Sequence, residues 1–303
     1  MAKIAVELPQ ALARRALHGA PGEMTANRLS QGEGWTVSDV ICTSGPQDRP
    51  FEEQHDRVNI AVVIAGSFQY HSAGGCELMT PGALLLGNCG QPFECAHEHA
   101  PGDRCISFGY TAEYFEQLAA EAGNHDARRS FKVLRLPPLR ELSPIVARAC
   151  AGLAGSANAR GDDIAWEEIS LHLAARAVQL AAGIPPSPGD GPPSAMARVT
   201  RAVRRIERQP DDGLSLASLA REAGLSPYHF LRTFERLTGV TPHQYVLRMR
   251  LREAAVRLAV EPAKILDVAL DCGFGDVSNF NRNFRAEFGA SPRGYRRQSS
   301  AGT

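Results

Sequence analysis

The segment from Leu216 to Tyr295 repeats itself. Phe230, Arg232, Phe234, Gly239, Pro242 and Tyr245 recur as Phe280, Arg282, Phe284, Gly289, Pro292 and Tyr295, each displaced by 50 residues. Upstream, Leu216, Leu219, Ala220, Ala223 and Gly224 return as Ile265, Val268, Ala269, Cys272 and Gly273, displaced by 49, so the turn of the second copy is one residue longer. A duplication that keeps apolar spacing and the turn glycine demands the same folded unit twice. Each copy reads as an apolar-striped helix, a Gly-containing turn and a second striped helix, which describes a helix-turn-helix. Two such units in one small region predict a grip on two successive DNA grooves.

Local signals sharpen this expectation. Ser226-Pro227 supplies an N-cap followed by Pro at the first helical position, opening a helix to Thr238. Phe230, Phe234 and Leu237 are spaced for its core side. Tyr228, Leu231 and Arg232 fall on another face near the N-terminus, where recognition helices carry base-reading side chains. In the second copy Asp276 is the N-cap, Phe280, Phe284 and Phe288 are core, and Ser278, Asn281 and Arg282 occupy the outward positions. Arg suits guanine and Asn adenine in the major groove. Thr241 can cap a helix from Pro242 to Val260, roughly 27 Å long at 1.5 Å per residue. A rod of that length holds two recognition helices about one DNA turn apart, on a site of about 15 to 20 base pairs. A first helix, capped by Ser194 and running to Arg208, directs Met196, Val199, Val203 and Ile206 inward. Its Arg201, Arg204, Arg205 and Arg208 form either a phosphate-binding face or a solvated one.

Charge agrees with this division. From Ala195 onward there are 18 Lys/Arg against 11 Asp/Glu, whereas residues 1–194 carry 15 against 22. The C-terminal third thus favours a polyanion and the remainder does not. No apolar run approaches the roughly 18 residues of a membrane span, and the N-terminus lacks a basic-then-apolar signal pattern. The expectation is a cytoplasmic protein with no membrane partner, its seven cysteines held as thiols.

Residues 1–35 show little periodicity and read as a lead-in or a short helix near Leu12 to Leu17. From Trp35 to Tyr110 the signals are for short strands: Val58 to Gly66, Ser67 to His71, Ala83 to Gly87, Phe93 to His99 and Arg104 to Tyr110. Turn signals recur between them, which predicts a small barrel or sandwich. Helices follow from Ala112 to Ala122 (capped by Thr111), Leu139 to Leu153 and Ile164 to Ala182. The last carries Trp166, Ile169, Leu173, Ala177 and Leu180 as a stripe that must pack on the barrel or on a second copy of the chain. Five prolines between Gly183 and Pro193 exclude helix and sheet alike. The expected organisation is 1–182 as a sensor or dimerisation domain, 183–193 as a linker and 194–303 as the DNA-binding domain.

The stretch from Val268 to Arg296, with its Gly273-Phe274-Gly275, Phe280, Arg282, Phe284, Gly289, Pro292 and Tyr295, closely resembles the signature of the AraC/XylS family of bacterial transcriptional regulators. The resemblance covers about Met196 to Arg297. It implies two helix-turn-helix units joined by a central helix, and control of transcription, often activation by contact with RNA polymerase. The family's groove-facing positions fall on Tyr228, Leu231, Arg232, Ser278, Asn281 and Arg282. Leu231 departs from the pattern, where a polar residue is commoner; an apolar side chain suits a thymine methyl. Through Pro81-Gly82 and the strand pattern, the N-terminal part is similar to the family's cupin-like domain, which binds a small-molecule effector or dimerises. The fold class expected is α+β in two domains: a cupin-like β-barrel with helices, then an all-α double helix-turn-helix.

Cys95, His97 and His99 alternate along one expected strand and so share a face. Cys105 follows after a Pro-Gly-Asp turn. Two imidazoles and two thiolates suit zinc or another soft divalent ion, with Cys42, His55 and Cys89 as further candidates and Asp103 nearby. Cupin barrels often carry His-x-His, although their usual Glu is absent here. The bland reading is that these are hydrogen-bonded core residues in a barrel without metal. The alternative to a regulator is a metal-dependent cupin oxygenase or isomerase fused to a DNA-binding module. An architectural DNA binder is disfavoured by two heads with different outward residues.

Overall fold

The computed structural model describes residues 4–50, 52–122, 130–156, 163–184, 192–208 and 214–301. Helix α1 (Ile4–His18) leads into strands β1 (Met24–Gly32), β2 (Trp35–Cys42), β3 (Glu52–Gln54), β4 (Val58–Gly66), β5 (Phe68–Ser72), β6 (Gly75–Met79), β7 (Leu84–Gly87), β8 (Pro92–Ala96) and β9 (Asp103–Tyr110). Helix α2 (Ala112–Glu121), the short strand β10 (Arg135–Leu136) and helices α3 (Ser143–Ser156) and α4 (Asp163–Ala181) complete the N-terminal part. The strands form a six-stranded sheet, ordered β1-β2-β9-β4-β7-β10, and a four-stranded sheet, ordered β3-β8-β5-β6.

Alternation along the strands divides the core in two. Ile60, Val62, Leu84, Leu86, Ile106, Phe108 and Tyr110 bury themselves with residues of α2, α3 and α4. The intervening Ala61, Val63, Leu85 and Cys105 join Phe68, Tyr70 and Met79 of the smaller sheet. The six-stranded sheet therefore has helices on one face and the second sheet on the other. Trp166, Ile169, Leu173 and Ala177 are buried in the helix-side core. The stripe on α4 is thus spent on this chain's own sheet and not on a second copy of the chain.

The amino end is more ordered than its sequence suggests. Leu8 of α1 is buried, and Arg15 binds Asp48 at 2.6 Å. Glu7 also reaches Arg104, a fully buried side chain whose guanidinium meets both carboxylate oxygens of Asp39 at 2.8 and 2.9 Å. Strand β1 pairs along its length with β2. The expected strand from Phe93 to His99 is shorter: β8 ends at Ala96, where its pairing with β5 stops.

The remaining chain is helical: α5 (Pro193–Arg208), α6 (Leu216–Glu222), α7 (Pro227–Thr238), α8 (Pro242–Val260), α9 (Ile265–Asp271), α10 (Val277–Phe288) and α11 (Pro292–Ala301). Helix α5 begins at Pro193, so Ser194 lies inside it and is not its cap. Of the Pro-rich stretch 183–193, residues 185–191 lie outside the described residues. Among the described residues, no helix is long and apolar enough to cross a membrane.

Candidate nucleic-acid interface

Each repeated residue has a local task. The Ser226 side chain accepts the backbone N–H of His229, and Pro227 opens α7. Asp276 accepts that of Asn279 at the start of α10. Gly239 and Gly289 end these helices in the left-handed conformation, with φ of 78° and 74°, and their N–H groups reach Glu235 O and Arg285 O. A β-carbon is strained there, which accounts for the repeated glycine. Thr241 and Gln244 form a reciprocal capping box at the start of α8.

Phe230, Phe234, Phe280 and Phe284 are all fully buried. Their helical phase turns the expected groove-facing set outward: Tyr228, Arg232, Ser278, Asn281 and Arg282 are exposed and Leu231 is half-buried. Arg282 donates to Asn279 Oδ1 at 3.1 Å, so its guanidinium stays on the α10 surface. A cleft of about 810 Å³ opens between the units, lined among others by Leu231, His243, Val246, Asn279, Arg282 and Asn283.

The arginines of α5 divide between tasks. Arg201 is exposed, with Glu222 O at 3.4 Å. Arg204 instead donates to Pro101 O and Gly102 O at 2.5 and 3.0 Å. It joins the helix to the barrel. Other bonds across the same boundary link Glu207 Oε1 with Gly66 N at 2.8 Å, Arg135 with Thr238 O at 2.9 Å, and Arg248 with Pro138 O at 2.9 Å. Cys76 and Leu78 of β6 enter the core of the first unit, and Ala147 of α3 enters that of the second. The N-terminal part of the chain thus completes both helical cores.

The Cys/His residues fall differently from their expected arrangement. Because β8 stops at Ala96, His97 and His99 lie beyond the strand end, and alternation no longer puts them with Cys95 on one strand face. Among the described residues, the compact donor group is Cys42, His97 and Asp103, whose ligating atoms lie within 4.8 Å of one another. Cys95, His99 and Cys105 lie outside it. His99 Nε2 is 3.9 Å from Glu98, and Cys105 Sγ is 3.3 Å from Asp103 Oδ2. His97 Nε2 is 2.7 Å from Asp103 Oδ1, with both side chains buried. Burial alone lowers the pKa of His97, but the hydrogen bond and charge of Asp103, with the Cys42 thiol beside them, prevail and raise it to about 9. Burial pushes the Cys95 and Cys105 thiols well up. His55, another candidate, makes a 2.8 Å contact with Tyr70 Oη and stacks on Phe93. Its burial lowers its pKa to about 4. Cys89 is exposed, its Sγ against Asp56 O at 3.3 Å. None of the seven cysteines forms a disulfide.

Comparison with known proteins supports the two-part reading. Residues 38–174 match the model of the AraC-like ligand binding domain, and residues 219–298 that of a helix-turn-helix domain. The transposon Tn10 TetD protein of Escherichia coli is 38% identical over 92 residues, covering 30% of this chain and 67% of TetD. The probable transcription factor PqrA of Proteus vulgaris is 35% identical over 88 residues, covering 29% and 72%. The HTH-type transcriptional regulator MtrA of Neisseria gonorrhoeae is 28% identical over 101 residues, covering 33% and 34%. The match therefore spans about two thirds of the shorter relatives and about a third of MtrA. With its ligand-binding-type barrel, its duplicated helix-turn-helix and these relatives, the chain belongs to the AraC family of transcriptional regulators.

Proposed function

We propose that the chain regulates transcription by reading two successive major grooves, with α7 and α10 as its recognition helices. Tyr228, Leu231 and Arg232 face one groove; Ser278, Asn281 and Arg282 face the next. The observation that carries this reading is the shared helical phase. The same aromatic pair is buried in both helices, and the same three positions are left outward near each N-terminus. Double-stranded DNA is the partner. RNA polymerase is the second, contacted once the protein is seated on its site. The barrel takes a small-molecule effector or a second copy of the chain, and the bonds joining it to α5, α7 and α8 give either event a route to the reading heads. On this reading the barrel senses and does not catalyse.

The test is selection of bound sequences from a random double-stranded pool by the full chain. Two enriched half-sites about one turn apart, within about 15 to 20 base pairs, are expected. Recovery of unenriched DNA overturns sequence reading. Enrichment of a single half-site overturns the two-groove geometry, because one unit would then contact only the phosphate backbone.

A further inference from the structure

Cys42 ends β2 directly opposite Asp103, the first residue of β9. Directly paired residues share a face, and Asp103 alternates with helix-facing Ile106 and Phe108 in the phase of Cys105. Both side chains therefore enter the space between the sheets. His97, just past the end of β8, closes the group from the other sheet, and Phe68 packs against its ring at 5.9 Å. Asp103 occupies one ring nitrogen of His97; the other, Nδ1, is buried without a hydrogen-bond partner. A buried polar atom left unsatisfied costs free energy, and the ring that carries it belongs to the donor group with the Cys42 thiol and the Asp103 carboxylate.

We propose that Cys42, His97 and Asp103 bind one zinc-class divalent ion, and that this ion sets the turn on which the first DNA-reading unit is docked. One thiolate and one carboxylate neutralise a divalent charge, and imidazole adds a third donor. Mixed sulfur, nitrogen and oxygen donors favour zinc over magnesium or calcium, which prefer oxygen alone. Tetrahedral ligand atoms about an ion are roughly 3.3 Å apart for bonds near 2 Å, so a group within 4.8 Å needs only side-chain adjustment to close on it. Cys105, 3.3 Å from the other oxygen of Asp103, orients that carboxylate. Three protein donors leave the fourth position to water.

Position gives the site a consequence. His97 and Asp103 bracket the turn whose Pro101 and Gly102 carbonyls accept Arg204 of α5. Gly66, the partner of Asp103 on β4, gives its N–H to Glu207 of the same helix. A β-carbon at Gly66 would lie 2.3 Å from Gly102 O, so strand end and turn are in close contact. An ion shared by His97 and Asp103 replaces their 2.7 Å hydrogen bond with coordinate bonds and fixes the turn that presents both acceptors to Arg204.

Metal-stripped full-length protein is titrated with Zn(II) against a chromophoric chelator, and separately with Cd(II). One equivalent per chain is expected, with a thiolate-to-cadmium absorption band in the near ultraviolet. Cys42→Ser and Asp103→Asn are expected to weaken binding at least ~10-fold, and Cys89→Ser to leave it unchanged. If the wild-type chain takes up neither ion at stoichiometric amounts, or the band persists in Cys42→Ser, the site is refuted; the wild-type result holds however the variants fold. Hydrogen exchange with and without Zn(II) tests the coupling, and slower exchange in 97–103 and in α5 is expected. Unchanged exchange in α5 refutes the coupling. Neither readout involves DNA, so both stand or fall independently of the proposed function.

Discussion

In the first helix-turn-helix unit the ring of Phe234 meets Tyr245 at 5.5 Å and 80°; in the second, Phe284 meets Tyr295 at 5.4 Å and 81°. Phe230 and Phe280 lie tilted against Phe234 and Phe284 at 5.6 and 5.4 Å. Around this common nucleus the copies diverge. In the second, Phe288 adds a ring 4.6 Å from Phe284. In the first, the equivalent residue is Thr238, fully buried, whose carbonyl accepts Arg135 beside the ion pair of Arg135 with Glu77. In the second, Glu287 bonds Ser143 at 2.5 Å and lies 3.4 Å from Arg248; in the first, Leu237 fills that place in the core. The duplication thus preserves what folds the unit and changes what docks it on the barrel. The outward residues change too, with Arg the one kept in both.

The sharpest way to break this comparison is to attack the shared nucleus. Phe234→Ala and Phe284→Ala are each expected to cost ~3–5 kcal/mol, since each removes a fully buried aromatic side chain. Phe284 touches three rings (Phe280, Phe288 and Tyr295) against two for Phe234, so its loss should be the larger. Chemical denaturation of the full chain measures both. A cost below 1 kcal/mol in either copy would mean that its core is held by the docking surface and not by the repeated pair.

Next in size is the one repeated outward residue. Arg282→Ala is expected to weaken binding to a selected site by ~1–3 kcal/mol, with a smaller loss on random DNA. Arg232→Ala should do the same in the other half-site. Fluorescence anisotropy on both DNAs at several salt concentrations makes the measurement. Equal loss on selected and random DNA would leave these arginines as phosphate contacts alone.

How much of this was legible in advance differs by region, and the reason is the range of the interactions. The caps at Ser226, Thr241 and Asp276, the buried phenylalanines and the turn glycines are local signals, and each appears where the residue pattern predicts it. Strands β4 and β7 were also readable, since β-branched and leucine runs end at glycine. Strand β1 was not: most of its residues are exposed at a sheet edge, so no apolar alternation marks it. The Cys/His group was half legible. His97, Cys42 and Asp103 all stand among the candidates, but that these three meet follows from the register that sets Cys42 against Asp103, 61 residues later in the chain. Periodicity within one strand says nothing about pairing between distant strands. The arginines of α5 show the same limit: Arg204 reads as a cation for phosphate until the carbonyls at 101 and 102 are placed beside it.

The smallest expected effect separates the copies by a single charge. Ser226 and Asp276 cap equivalent helices, so removing either side chain with Ala should cost about 1 kcal/mol of stability. Their electrostatics differ. Asp276 adds a negative charge at a helix N-terminus, which favours the free protein by a further 0.3 to 1 kcal/mol or so at low salt. In the proposed docking that same carboxylate would stand near the phosphates, where a negative charge is repelled and bare N-terminal N–H groups are attractive. Asp276→Asn keeps a capping oxygen and removes the charge. It should therefore lower stability by a few tenths of a kcal/mol while tightening DNA binding modestly, the gain shrinking as salt screens it. Ser226→Asp is the mirror experiment and should weaken binding in the first half-site. If Asp276→Asn leaves binding on selected and random DNA unchanged at low salt, the N-terminus of α10 does not approach the phosphate backbone. The second unit would then engage DNA in a different orientation from the first.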